Sequence, residues 1–159
     1  MKTLFTKEKS EAAATELKSK KRASLGRTYD LQSLYDRLNR LYFDSQLKLS
    51  IRWGKQNLVK ARSNVLLGSY FDKSKEIVIS RRLDNPRVPL YFLEHVIFHE
   101  MLHSVFPREK HRMHTEKFKK FERLHPDFDR AREWEKTSLK ILFESNQISL
   151  FNSLMARIS

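Results

Sequence analysis

The sequence predicts an α+β domain behind a basic N-terminal tail, and three observations carry that prediction. An amphipathic helical pattern opens at Asp30, and three short β-prone runs follow it between residues 47 and 80. A stretch from Pro89 to Phe106 is then apolar enough to be a buried helix, yet it holds two histidines and a glutamate within five residues, His99-Glu100-Met101-Leu102-His103. At 159 residues there is room for one compact domain and a tail, and a core of roughly 130 residues buries about two-thirds of its unfolded surface.

Residues 1–28 carry eight Lys or Arg against three Glu, with Leu4, Phe5, Leu17 and Leu25 as the sizeable apolar groups. That is too little apolar surface to offset the entropy of ordering the chain, so a flexible basic tail is expected, with a transient helix around Glu11 to Lys18. The domain is expected to span 29–159. From Asp30, placed as a helix cap, Leu31, Leu34, Tyr35, Leu38, Leu41 and Tyr42 recur at helical spacing and define a core face. The runs Leu47 to Trp53, Val65 to Tyr70 and Glu76 to Ser80 read as strands of a small, partly antiparallel sheet, and the short 72–75 connection makes the last two a hairpin. Pro89 suits the first position of a helix that runs to Phe106, where Pro107 stops it. Thr115 to Leu124, with Phe118, Phe121 and Leu124 on one face, and Phe128 to about Phe143 are two further helical patterns; a C-terminal helical extension over 138–159 includes Ile148 to Ile158.

Composition limits the chemistry. No cysteine is present, so disulfides, thiol nucleophiles and Cys-ligated zinc are excluded, and a transition metal would have to be held by His, Asp or Glu. Lys plus Arg number 32 against 19 acidic residues, a net charge of +13 that attracts polyanions such as DNA without specifying a sequence. The N-terminus lacks the apolar core of a signal peptide, and no uncharged stretch approaches the roughly 20 residues of a membrane span. A cytoplasmic protein without membrane contact is expected.

On a helix, residues four apart are separated by about 40° in azimuth and about 6 Å in rise. His99 and His103 therefore project to one side, where two ring nitrogens can share a metal. Glu100 lies about 100° round from His99; it need not coordinate, and its carboxylate can instead reach a water on the metal's open position. Leu90, Leu93, Ile97, Met101 and Val105 cover one face of this helix, and Phe92, Val96 and Phe106 flank the other. A helix apolar nearly all round is buried, and buried histidines beside a carboxylate call for a compensating cation. A catalytic zinc takes three protein ligands; the residues leave His111, His114, Glu116, Glu122 and His125 as candidates for the third, while the ordinary reading of His95, His111 and His125 is a histidine on the surface or behind the ligands.

At this point the chain resembles a family. HEMLH, a loop, and then His114-Thr115-Glu116-Lys117-Phe118 are similar to the SprT-like, Spartan-related HExxH metalloproteases, whose later His-Gly-x-x-Phe element supplies the third zinc ligand; Thr115 stands here where Gly is more usual. The similarity runs from DLQSLYDRLNRLYF through IRWG, LGSY and IVIS to HPDFDRAREWEK, residues 29 to 136. It implies a zincin-like domain, Zn2+ as cofactor, and His99, His103 and His114 as its ligands. Many family members continue into a Cys-rich zinc ribbon, for which this chain has neither cysteine nor length. DNA contacts would then fall to the tail or to Arg81-Arg82, Arg108 to Arg112 and Lys117 to Lys120.

The expected activity is that of a zinc-dependent endopeptidase with Glu100 as general base, acting on a protein or peptide substrate, with DNA-associated or DNA-crosslinked proteins as the class the resemblance suggests. Tyr70, His111 and Arg112 are candidates for stabilising the oxyanion. A substrate strand is expected to add to a sheet edge formed by Glu76 to Ser80. Two other readings compete: a non-catalytic, zinc-stabilised module that binds nucleic acid or a partner, and a maturation protease with no DNA role. Glu100 argues against the first, because a purely structural zinc site has no use for a base beside its ligands.

Overall fold

A computed structural model describes residues 15, 18–19, 22–55, 66–107 and 113–139. Most of the tail, His111 and Arg112, and the C-terminal segment from 140 on, with the expected Ile148 to Ile158 helix, lie outside the described residues. Among those described the order is α1 (Leu31–Tyr42), β1 (Ser50–Trp53), β2 (Gly68–Phe71), β3 (Glu76–Ile79), a 3-10 turn (Arg81–Leu83), α2 (Leu90–Val105), α3 (Glu116–Glu122) and α4 (Phe128–Trp134), which runs into a π-helical turn (Glu135–Leu139). This is an α+β architecture with a small mixed sheet, as the sequence predicts. No described helix is long and apolar enough to cross a membrane.

α1 starts where its cap is. The Gln32 amide and the Ser33 hydroxyl both donate to the Asp30 carboxylate, at 3.1 and 2.8 Å, so one orphan amide of the first turn finds its partner in the cap. Leu31, Tyr35 and Leu38 are buried, but Leu41 is 63% exposed, against expectation. It lies about 80° from the centre of the Leu31–Leu38–Tyr42 stripe, at the rim of what a helix face can bury. Two polar groups on the same face guide the chain onward. Asn39 donates to the Leu47 carbonyl at 2.9 Å and accepts from its amide at 3.2 Å, while the Tyr35 hydroxyl donates to the same carbonyl and accepts from the Leu49 amide. These bonds direct the strand that follows.

The sheet order is β1-β3-β2, with β1 parallel and β2 antiparallel to β3. β2 and β3 form the expected hairpin, closed over 72–75 with Lys75 at φ 51°. Ile51, Trp53, Ile77 and Ile79 alternate into the core, the period of a sheet with one buried face. The expectation that Glu76 to Ser80 offers an open edge is corrected. β3 is hydrogen-bonded on both sides, so among the described residues the edges are β1 and β2.

α2 passes behind the sheet, in contact with β2 and β3 on one side and α1, α3 and α4 on the others. Pro89, at φ −65°, is its N-cap rather than its first residue. Ten consecutive-turn residues from Phe92 to His103 are buried, whereas Leu90 and Val105, expected on the buried face, reach solvent at the two ends. On α3, Phe118 is buried while Phe121, whose ring packs on Phe106 at 4.9 Å, stays 44% exposed; Leu124 lies beyond the end of the helix at Glu122 and is exposed as well. Ahead of α1, the Arg27, Thr28 and Tyr29 amides all donate to the Asp84 carboxylate at 2.7, 2.9 and 3.2 Å, and the Tyr29 hydroxyl donates to the Val88 carbonyl. Gly26 is required here: a Cβ would fall 2.4 Å from Asp84 Oδ1.

Candidate metal centre

α2 brings His99 and His103 to one side, one turn apart, as their spacing requires. His114 comes from the segment that leads into α3, whose start is set by Thr115, its hydroxyl accepting from the Phe118 amide at 3.2 Å. That cap fixes the helix immediately after His114 and so fixes where its ring can reach. His114 Nε2 stands 3.2 Å from His99 Nε2 and 3.3 Å from His103 Nε2, and the three residues form a group able to hold one metal ion, with ligand atoms within 4.8 Å of one another.

Whether these rings suit zinc can be tested by geometry. With Zn–N bonds of about 2.0–2.1 Å, two nitrogens on neighbouring corners of a tetrahedron lie about 3.3–3.4 Å apart. The two measured separations match that edge. The donor set of three neutral imidazoles is also one that zinc takes at catalytic sites.

The rings rest on one aromatic floor. Phe118, 1% exposed, has its centroid 5.0, 4.7 and 4.6 Å from those of His99, His103 and His114. Behind His99, its Nδ1 meets Glu122 Oε1 at 2.6 Å. Burial raises the Glu122 pKa, but the hydrogen bond from His99 and the charges of His99, His95 and His114 outweigh it, leaving the carboxyl below its usual range. An ionised carboxylate only accepts, so at this contact His99 donates through Nδ1, and its other nitrogen, Nε2, is the one that meets His114.

Glu100 is 7% exposed and lies against β2. A Cβ at Gly68 would sit 2.8 Å from Glu100 Cγ and 2.8 Å from its Oε1, so the strand can pass this side chain only because residue 68 is glycine. The sequence offered one cue, a glycine inside a β-prone run, which marks a close approach; nothing in it said what approaches. A second layer holds His95 and His125, both buried. His95 is pushed down to about 4, by burial first and by His125, His99 and Arg132, against the pull of Glu122. The His125 pKa is lowered too, by burial against Asp127; its Nδ1 accepts from the Asp127 amide at 3.3 Å.

Of the candidates for a third ligand, the structure brings His114 to His99 and His103. Glu116 pairs with Lys119 at 2.9 Å and His125 stacks on Tyr42. Glu122 meets the far nitrogen of His99. The Tyr70 hydroxyl, a candidate for the oxyanion, donates to Asp72 at 3.2 Å. Arg81 and Arg82 lie in the 3-10 turn, with Arg81 3.8 Å from Asp84, and Lys117, Lys119 and Lys120 are exposed on the outer face of α3.

The model of the SprT-like family matches residues 31–129, more than half of the chain and every element from α1 into α4, and the chain belongs to that family. No curated protein and no solved structure matches it.

Proposed function

We propose that this member of the SprT-like family is a zinc-dependent endopeptidase, with His99, His103 and His114 as ligands and Glu100 as general base. The observation that carries the reading is His114 Nε2 at tetrahedral-edge distances from both His99 Nε2 and His103 Nε2, two residues of a helix that also carries the buried carboxylate of Glu100. The chemistry a zinc ion supplies when bound is acidification of a water to a pKa near about 7 and polarisation of a carbonyl.

The chain's own residues do the rest. Glu100, held between α2 and Gly68, accepts a proton from the attacking water at a carboxylate oxygen and returns it to the leaving amine. Phe118 excludes water from beneath the rings and keeps their planes apart, so the three nitrogens do not have to be gathered when substrate arrives. The edge strand nearest this carboxylate is β2, which replaces β3 as the place where an extended peptide would add. Its Gly68 end lies against the base, so a peptide running along Gly68–Phe71 passes the site in an extended form.

Substrates bound to DNA fit the charge. The net +13 and the exposed Lys117, Lys119 and Lys120 on the helix that follows His114 support that reading, and residues 1–28 carry eight Lys or Arg of their own. A shared polyanion then concentrates enzyme and target without new contacts at the site. The domain division, a tail over 1–28 and a protease domain from 29, belongs to the same proposal. The test compares wild type with Glu100→Gln on a protein crosslinked to DNA and on the same protein free. Cleavage that requires Glu100 and is stronger on the crosslinked form supports the reading. Equal cleavage of both forms favours a maturation protease, and no cleavage by zinc-loaded wild type favours a binding module.

A further inference from the structure

We infer that Glu122 is the positioning residue of this centre: it fixes the tautomer and orientation of His99, an inference that rests on the metal-site reading above. Three observations carry it. Glu122 Oε1 lies 2.6 Å from His99 Nδ1, a charge-assisted contact at the short end of its range. The bond falls on the ring nitrogen opposite to the one that meets His114 at 3.2 Å, so Glu122 acts on the centre through His99 and cannot join it without the ring turning over. Finally, Glu122 follows Phe118 by four residues on α3, which puts carboxylate and aromatic floor on one face.

The physical need is specific. A neutral imidazole carries its proton on either nitrogen, and only the Nδ1–H form presents a lone pair at Nε2. With no acceptor behind the ring, His99 would populate both forms, and the fraction with Nε2–H could not ligate. The segment leading into α3 thus delivers His114, and α3 itself supplies the floor in its middle and the tautomer-setting carboxylate at its last residue. The same oxygen stands 3.9 Å from His95 Nε2, so the carboxylate is shared between two successive turns of α2 and tied to both.

The experiment uses the full chain as wild type, Glu122→Gln and Glu122→Ala. Long-range 1H–15N NMR of the metal-free protein reads the His99 tautomer, and competition with a chromophoric chelator reads zinc affinity. Wild type should show Nδ1–H at His99. Glu122→Ala should shift His99 toward Nε2–H and weaken zinc binding by about ten- to a hundredfold. Glu122→Gln keeps an acceptor oxygen and should retain the tautomer with a smaller loss. An Nε2–H tautomer in metal-free wild type overturns the inference, as does a Glu122→Ala protein that binds zinc as tightly as wild type. If Glu122→Ala does not fold, the wild-type tautomer and the Gln variant still decide. Wild type that binds no zinc while showing Nδ1–H would sink the metal-site reading, and with it the role; unchanged affinity in the variants would sink the role alone.

Discussion

Replacing Gly68 by alanine should disable the base while sparing the metal. The added Cβ would lie 2.8 Å from both Glu100 Cγ and Oε1 and 3.1 Å from Cδ, whereas carbon contacts settle near about 3.5–4.0 Å. Roughly an ångström must be found. It cannot all come from the carboxylate end, because Cγ is as close as Oε1, so the whole Glu100 side chain has to swing or β2 has to lift. Overpacking of this kind costs about 1–3 kcal/mol, partly offset by about 0.5–1 kcal/mol from replacing glycine within a strand, which leaves a loss of roughly 1–2 kcal/mol. The effect on chemistry is larger, because a misplacement of about 1 Å at a reacting group costs on the order of a hundredfold in rate. Gly68 touches none of the three histidines in the contacts that crowd it, so zinc stoichiometry should be unchanged. The assays are kcat on a cleavable protein, zinc content after gel filtration, and a thermal melt. Wild-type kcat in Gly68→Ala would refute the placement of Glu100 against β2, and loss of zinc with the fold intact would refute the separation of base from ligands.

Three more outcomes are expected. His114→Ala should lose most of its zinc on dialysis, since two imidazoles from one helix leave a catalytic zinc short of a protein ligand; retention of stoichiometric metal by this variant would reassign the third ligand. Cleavage should be stimulated by DNA and the stimulation should collapse between about 50 and 200 mM salt, as phosphate contacts do; activity indifferent to both is the result against it. In the metal-free protein, stability should fall as pH drops from about 6.5 to about 4, because the unfolded chain takes up a proton on His95 that the native state, with this ring pushed down to about 4, refuses. At about 1.4 kcal/mol per pK unit the loss is roughly 3 kcal/mol, and His95→Leu should flatten the denaturant-midpoint profile over that window; an unchanged slope would reject the buried neutral ring.

What the sequence could convey depended on how local each cause is. α1, the hairpin and α2 are set by short-range signals, namely a cap at Asp30, a four-residue connection over 72–75 and Pro89 ahead of an apolar run, and the structure has all three. Ligand spacing on α2 is equally local, which is why His99 and His103 were readable as a pair and Glu100 as the group beside them. Strand order is different. The hairpin gives β3 its neighbour β2, but the parallel pairing of β1 with β3 depends on a crossover with no sequence signature of its own, so the sequence leaves β3 looking like an open edge. The limits of a helical face explain Leu41: a pattern counts an apolar residue as core as soon as the angle allows it, while burial also needs a partner element opposite, and among the described residues Leu41 stays 63% exposed. Glu122 shows the same limit at the site. It is one of two acidic residues on a charged helix, 23 positions from the ring it holds, and only the packing of α3 across α2 separates it from Glu116, which is exposed to solvent about a third of a turn away in azimuth. His99 and His103 are therefore visible in the sequence because one helix carries them, and the contact of Glu122 with His99 is hidden because two helices must meet before it forms.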